Sequence, residues 1–111
     1  MKRLVVSEAV ETAIPHGDME AMVRILERAV AGHERVLQLR KEGKVIGGGS
    51  MTGRKGEVLI VEADSNEELN AILRSIPYWI FHHMEITPLS NTEVQYETDR
   101  DLLKKLKAQT E

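Results

Sequence analysis

The chain has 111 residues, with 15 basic and 18 acidic side chains, a formal net charge of −3 and no cysteine. This length suits one globular domain, and the missing thiol excludes disulfide scaffolds, thiolate metal sites and cysteine nucleophiles. The mildly acidic balance argues against a nucleic-acid-binding protein, and the N-terminal stretch is too short and too interrupted by acidic residues for a signal sequence or a membrane span. We therefore expect a cytoplasmic protein with neither nucleic acid nor membrane as a partner.

The first predicted strand covers residues 2–10, where Leu4, Val5 and Val6 form an aliphatic run rich in β-branched residues. A helix is predicted to follow, with Asp18 as its N-cap, and to end near Glu42. At about 100° per residue, one side of this helix is apolar and is the predicted buried face. That face consists of Met22, Leu26, Ala29, His33, Val36 and Leu37.

The middle of the chain predicts a β-hairpin, with strands over 44–51 and 57–63 and a glycine-containing loop between them. The S-x-x-E sequence from Ser65 to Glu68 is a capping box, which predicts that a second helix begins there and ends at Pro77.

A last strand is predicted over residues 84–87, closed by Pro88. The remaining polar tail, residues 91–111, contains a leucine cluster that predicts a short helix. The order is thus βαββαβ, which predicts a ferredoxin-like α+β domain over residues 1–90 with both helices on one face of the sheet. The other face needs a cover, and a second subunit's sheet is the simplest one, so we expect a homodimer or a higher homo-oligomer.

Several parts of the chain carry a family resemblance: the Glu-Gly pair at 42–43, Gly53, the S-x-E-x-L start of the second helix, and IPYWIFHHMEITPL at 76–89. Together they resemble the muconolactone δ-isomerase family, whose members are dimeric α/β barrels. The resemblance implies a cofactor-independent isomerase of aromatic-compound catabolism that moves a proton on a small lactone or carboxylic acid.

The second strand departs from that family pattern. Where the isomerases carry bulky aromatic and basic residues, this chain has a run of three glycines followed by Ser50. Glycines supply neither an acid nor an anion clamp, although they leave room for a ligand. A substrate other than muconolactone is therefore expected, and we count Ser50 among the substrate-binding candidates.

Aromatic and imidazole side chains cluster after the second helix. Tyr78, Trp79 and Phe81 are three of the four aromatic residues of the chain, and His82 and His83 follow them directly. Such a cluster suits a flat organic acid, with a histidine moving a proton near neutral pH. The alternative is that the aromatic side chains fill the core or a subunit interface. Only one of the two adjacent strand histidines can enter a given pocket.

His33 is the second catalytic candidate because it lies on the predicted buried face of the first helix. A buried imidazole needs a partner, and Glu62 or Glu85 would form a proton-transferring pair with it. The alternative is a core histidine whose hydrogen bonds are simply satisfied. Of these two acids, we include Glu85 in the catalytic set.

Two further side chains could hold an anion. Arg40 follows His33 by seven residues and could clamp a carboxylate, although long basic side chains near helix ends often extend into solvent. His16 precedes the first helix, where an anion could meet the amides of the helix N-terminus. It is the weakest of the histidine candidates.

No metal or cofactor site is predicted. Adjacent strand histidines chelate a metal ion poorly, and the glycine-rich segment 47–55 lacks the Lys-Ser/Thr pair and the helix of a phosphate-binding loop. Two main functions remain open. The first is a cofactor-free isomerase or lyase, and the second is a non-catalytic oligomer that binds a small molecule. A third possibility, haem or quinone chemistry, is supported only by the presence of a histidine.

Overall fold

A computed structural model describes residues 1–10 and 17–110 of the chain. Its elements are β1 (Lys2–Ala9), α1 (Met19–Lys41), β2 (Val45–Ser50), β3 (Gly56–Glu62), α2 (Asn66–Arg74), a 3₁₀ turn (Trp79–Phe81), β4 (His82–Leu89) and α3 (Thr92–Thr110). The four strands form one antiparallel sheet in the order β2–β3–β1–β4. The predicted ferredoxin-like α+β fold is confirmed.

Both main helices begin at the predicted caps. The Asp18 carboxylate accepts a hydrogen bond from the Ala21 amide at 3.1 Å. At α2, the Ser65 hydroxyl accepts from the Glu68 amide at 3.0 Å. The Glu68 carboxylate reaches back to the Asp64 amide, at 2.9 Å, rather than to the amide of the cap residue itself. These side chains satisfy backbone donors that the first helical turn leaves free, so the two starts are fixed locally.

The last strand and the tail helix are both longer than predicted. β4 runs through Pro88 to Leu89, which is tolerated because β4 is an edge strand and a proline there removes no ladder hydrogen bond. α3 has 19 residues, whereas a short helix was predicted. The Asn91 side chain caps it by accepting a hydrogen bond from the Glu93 amide at 2.9 Å. No helix within residues 1–10 and 17–110 combines the length and apolarity of a bilayer span.

The buried face of α1 is not the predicted one. The buried residues of this helix are Gly32, Val36 and Leu39. Val36 is buried as predicted, but Met22 and Leu26 are 45% and 65% exposed, and Leu37 and His33 are also exposed, so the prediction that these four are buried is wrong. The C-terminal half of α1 packs on the sheet while the N-terminal half leaves a space beneath it. The apolar side chains there line a cavity or face solvent instead of joining the core.

The core lies between the sheet and the two main helices. Its buried hydrophobic residues are Val5, Val36, Leu39, Val45, Leu59, Val61, Ala63, Leu69, Ile72, Leu73, Ile76 and Tyr78. Tyr78 is 1% exposed, and its ring packs directly against the backbone of Gly32. A Cβ at Gly32 would lie 2.8 Å from the ring carbon Cε2 and closer still to Cδ2. This glycine therefore permits the close approach of α1 and the Tyr78 ring.

The opposite face of the sheet carries an aliphatic band that none of the described helices buries. Leu4 is paired with Ile60, and Val6 with Val58, across β1 and β3. All four side chains are only half-buried. Strand alternation explains the band, because Val5, Leu59 and Val61 take the helix-facing positions between them.

Candidate functional site

A cavity of about 530 Å³ lies between the N-terminal half of α1 and the sheet. This volume falls in the range of ordinary small-molecule sites. Its wall is mostly apolar, and α1 supplies more of it than any other element. The helix side chains that line it are Met19, Met22, Val23, Ile25, Leu26, Ala29 and His33. The sheet, the β2–β3 loop and the segment before β4 supply the remaining wall, including every other polar group.

Glu57 is the acidic group of the cavity. It lies on the helix-facing side of β3, is 5% exposed, and its Oε1 atom is 2.6 Å from Nδ1 of His33. The His33 side chain is 53% exposed, so this imidazole joins a buried carboxylate to the open part of the cavity. Glu57 Oε1 makes no hydrogen bond of good geometry within the described residues. A buried carboxylate oxygen with spare acceptor capacity is costly unless something occupies it.

The partners predicted for His33 lie elsewhere. Glu62 accepts from the N-terminal ammonium group of Met1 at 2.8 Å. Glu85 is on the outer face of the sheet, 3.6 Å from His83, and both of these side chains are at least 70% exposed. Strand alternation gives the reason, because Glu57 shares its face with Leu59 and Val61 whereas Glu62 does not.

Tyr78 supplies a second unpaired oxygen. Its hydroxyl is buried and makes no hydrogen bond with the described residues. Burial raises the pKa of the Tyr78 phenol well above its usual range, and the nearby Glu57 carboxylate adds to the effect. The group therefore stays protonated and keeps a hydrogen-bond donor beside the cavity.

His82 completes the polar side of the cavity. Its ring stacks on Tyr78 with centroids 4.2 Å apart, and its Nδ1 atom is 2.7 Å from the Ser7 hydroxyl, which is fully buried. Burial, and then the charge of nearby His33, lower the pKa of His82. This imidazole is therefore neutral at neutral pH, and it can accept a proton or share one with Ser7.

Of the other sequence candidates, Ser50 and Phe81 line the cavity. Arg40 does not line it, because it lies near the C-terminal end of α1, where its guanidinium is 3.4 Å from the Gly48 carbonyl oxygen. Trp79 is also outside the cavity, on the surface under the Arg74 guanidinium at 4.8 Å. His16 lies outside the described residues.

The structure thus brings together His33, Ser50, Tyr78, Phe81 and His82, and it leaves Arg40, Trp79, His83 and Glu85 apart from them.

Two charged residues of the cavity, besides Glu57, were absent from the sequence prediction. Arg54 and Lys55, in the β2–β3 loop, bring cationic side chains to its lining. Arg54 is also paired with Glu8 of β1. The loop was interpreted as a hairpin connection after the phosphate-binding pattern was rejected, and no other local pattern marked these residues as ligands. Within residues 1–10 and 17–110, no three His, Asp or Glu side chains are grouped as metal ligands.

Comparison with known proteins agrees with the resemblance seen in the sequence. A family model described as muconolactone delta-isomerase matches residues 8–95. The solved structure of a muconolactone isomerase superposes with a TM-score of 0.68 at 18% identity, over 82% of this chain and 90% of the other. A 5-chloro-2-hydroxyhydroquinone dehydrochlorinase from Burkholderia phenoliruptrix AC1100, in complex with 2,5-dihydroxybenzoquinone, gives a TM-score of 0.61 at 17% identity, over 82% and 95%. No curated protein matches the chain significantly in sequence.

Proposed function

Because the chain belongs to the muconolactone δ-isomerase family, we propose that it catalyses a cofactor-independent proton transfer on a small lactone or carboxylic acid, an isomerase reaction. The observation that carries this proposal is the His33–Glu57 contact in the wall of an otherwise apolar cavity. A carboxylate beside Nδ1 favours the imidazole tautomer protonated at that atom, which leaves Nε2 as the basic nitrogen. Such a base can remove a proton from a carbon next to a carbonyl group.

The proposed pathway needs stabilisation of the charge that forms on the substrate. The Tyr78 hydroxyl is a protonated, unpaired donor, so it suits an enolate oxygen that develops when the carbon loses its proton. The cations Arg54 and Lys55 suit the carboxylate of the substrate. Return of the proton to another carbon completes the isomerisation and leaves the enzyme unchanged. We assign no role in this chemistry to His83 or Glu85, which lie on the other face of the sheet.

An elimination would begin with the same proton abstraction. The dehydrochlorinase that resembles this chain in fold is named for a reaction that removes HCl, and a substrate with a leaving group one carbon away would lose it after the same first step. The cations of the described lining, Arg54 and Lys55, are assigned above to the substrate carboxylate rather than to a halide. We therefore keep isomerisation as the proposal and use elimination substrates as a second arm of the test.

The second candidate function is non-catalytic binding of a small molecule by a homo-oligomer of this fold. The half-exposed His33 ring favours it, because water that enters a cavity weakens charge stabilisation and competes for the proton. In both cases we propose a homodimer that buries the aliphatic band of Leu4, Val6, Val58 and Ile60. The cytoplasmic location stays a prediction.

Deuterium exchange separates the two functions. Small lactones and carboxylic acids that raise the melting temperature of the protein are incubated with it in D₂O, and NMR follows both exchange next to the carbonyl group and product formation. We expect the His33→Gln variant to lose about 10²- to 10⁴-fold in exchange rate, which is the usual contribution of a general base. The His83→Gln variant is the matched control, because its imidazole lies outside the cavity, and it should keep the rate.

Three results would count against catalysis by this base. Bound ligands that neither exchange nor convert would support the binding function. An unchanged rate in His33→Gln would remove the proposed base, and an equal loss in His83→Gln would show that the effect is not local to the cavity. Glu57→Gln keeps the size of the side chain and tests the carboxylate separately, with an expected loss smaller than that of His33→Gln.

A further inference from the structure

One side of α1 forms an exposed apolar seam that the core does not use. The seam consists of Met19, Val23, Leu26, Val30, His33 and Leu37, which are separated by four, three, four, three and four residues. Met19 is 72% exposed, Leu26 65% and Val30 51%. This alternation of three and four is the spacing at which one helix packs against another in a coiled coil. The seam therefore has the pattern of a helix-docking surface.

An acidic row borders the seam. Glu20, Glu27 and Glu34 recur every seven residues, each one position after a seam residue. A shallow groove lies along this border, with the side chains of Val23, Leu26, Val30 and two of these glutamates in its wall. At this position in a coiled coil, charged residues select the partner helix. A partner with basic side chains beside its apolar stripe would match the row.

α3 has the complementary pattern. Leu102, Leu103 and Leu106 lie within about 100° of arc on the helix, and Lys104 and Lys107 both lie beyond the same edge of that arc. Every residue of α3 with a described side chain is exposed, and within the described part of the chain its hydrogen bonds stay inside the helix or reach only its cap. Most of the stability of a helix in a protein comes from packing of its apolar face rather than from propensity, so this stripe of the 19-residue helix is expected to have a contact.

We propose that α3 of a second copy of this chain docks along the seam of α1. The three leucines would cover Val23, Leu26 and Val30, and the flanking lysines would face the acidic row. A second copy is favoured because the longest dimension of the chain is 70 Å against 29 and 22 Å for the others, and no described residue of α3 is buried against its own domain. Pairing of two α1 seams in antiparallel orientation would instead place the two acidic rows against each other.

This docking covers two apolar stripes with one contact. It also narrows the candidate cavity, because Met19, Val23, Leu26 and His33 belong to both the seam and the cavity lining. The family match ends at residue 95, so most of α3 lies beyond it and the contact is a feature of this chain's own extension.

The natural absence of cysteine allows a direct test by disulfide formation. Glu27→Cys and Lys107→Cys variants of the full chain are purified separately, one with a mass tag, then mixed and oxidised mildly. We expect a disulfide between the two differently sized chains. Pairing Glu27→Cys with Glu93→Cys, at the far end of α3, is the matched control and should give at least tenfold less product.

Charge reversal provides the second measurement. A Glu27→Cys chain that also carries Glu20→Lys and Glu34→Lys should lose the mixed disulfide, and the additional change Lys104→Glu in the Lys107→Cys chain should restore it. This restoration separates a docking contact from general damage to the fold. The restoration also distinguishes the α3–α1 contact from a dimer contact through the aliphatic face of the sheet, because these substitutions lie outside that face.

Three outcomes would overturn the proposal. A single chain that carries both Glu27→Cys and Lys107→Cys provides a comparison. If a disulfide forms within that chain but not between the two singly substituted chains, each α3 docks on its own α1. A disulfide that forms only between two Lys107→Cys chains would show that α3 pairs with α3. An equal yield in the Glu93→Cys control, or no effect of charge reversal, would show random collision.

Discussion

Replacing Gly32 by Ala tests the contact that ties α1 to the candidate site. The new Cβ would overlap the Tyr78 ring, since it would lie 2.8 Å from Cε2 and 3.1 Å from Cγ. The ring is buried and cannot swing away freely, so the upper end of the usual overpacking cost applies, about 3 kcal/mol. Alanine gains about 1 kcal/mol over glycine in a helix interior. The expected net loss in the free energy of unfolding is therefore about 2 kcal/mol.

Urea denaturation followed by circular dichroism measures this loss, and the melting temperature should fall by about 8 °C. The control is the same substitution in a Tyr78→Ala background, where the ring is gone and only the helix-propensity gain remains. Gly32→Ala should then be stabilising by about 1 kcal/mol. The reasoning would be refuted if Gly32→Ala were neutral or stabilising in the natural chain, or if its effect had the same sign in both backgrounds.

Three other changes have outcomes that the structure predicts. Gly48→Ala should lower the free energy of unfolding by at least about 2 kcal/mol, because φ is +112° and a Cβ would lie 2.8 Å from the Val58 carbonyl carbon. In the same urea titration, Gly49→Ala should be nearly neutral, because a Cβ there meets nothing within 4 Å. Ser65→Ala should cost about 1 kcal/mol through loss of the α2 cap, and an unchanged melting curve would contradict this. Burial lowers the pKa of His82 in the folded chain, so the unfolded chain takes up the proton first as pH falls below about 6.5. The free energy of unfolding should therefore decrease with falling pH, with a slope of at most about 1.4 kcal/mol per pH unit. Melts between pH 7.5 and 5 should show a smaller slope for His82→Asn, and equal slopes would count against the assignment.

The fold was predictable because its determinants are local. Asp18 and Ser65 each satisfy an amide three residues away, so the helix starts can be recognised from a few residues. The stop after α1 is equally local, since Gly43 has a φ of +76° and its amide donates to the Arg40 carbonyl oxygen three residues earlier. The end of β4 was misjudged because tolerance of Pro88 depends on which strand lies at the sheet edge, which is a property of the whole sheet.

The candidate site was only half predictable. Glu57 could have been found, because it has the same parity as Leu59 and Val61 and must face the helices if they do. The approach of Tyr78 to Gly32 could not, because it joins residues 46 positions apart and depends on the height of α1 above the sheet. That height also decides whether His33 enters the core or borders a cavity. No periodicity in the sequence encodes it.

The error over α1 shows what hydrophobic periodicity can and cannot establish. Buried residues Gly32, Val36 and Leu39 occupy one side of the helix, whereas the seam from Met19 to Leu37 follows a strict 3.5-residue spacing. At about 100° per residue, these buried residues lie about 100° to 160° around the helix from the centre of the seam. The two stripes therefore cannot be one face, and their combined arc is wider than a single sheet can cover. A helix with so wide an apolar arc must have a second contact, which in this fold is either the ligand cavity or another helix.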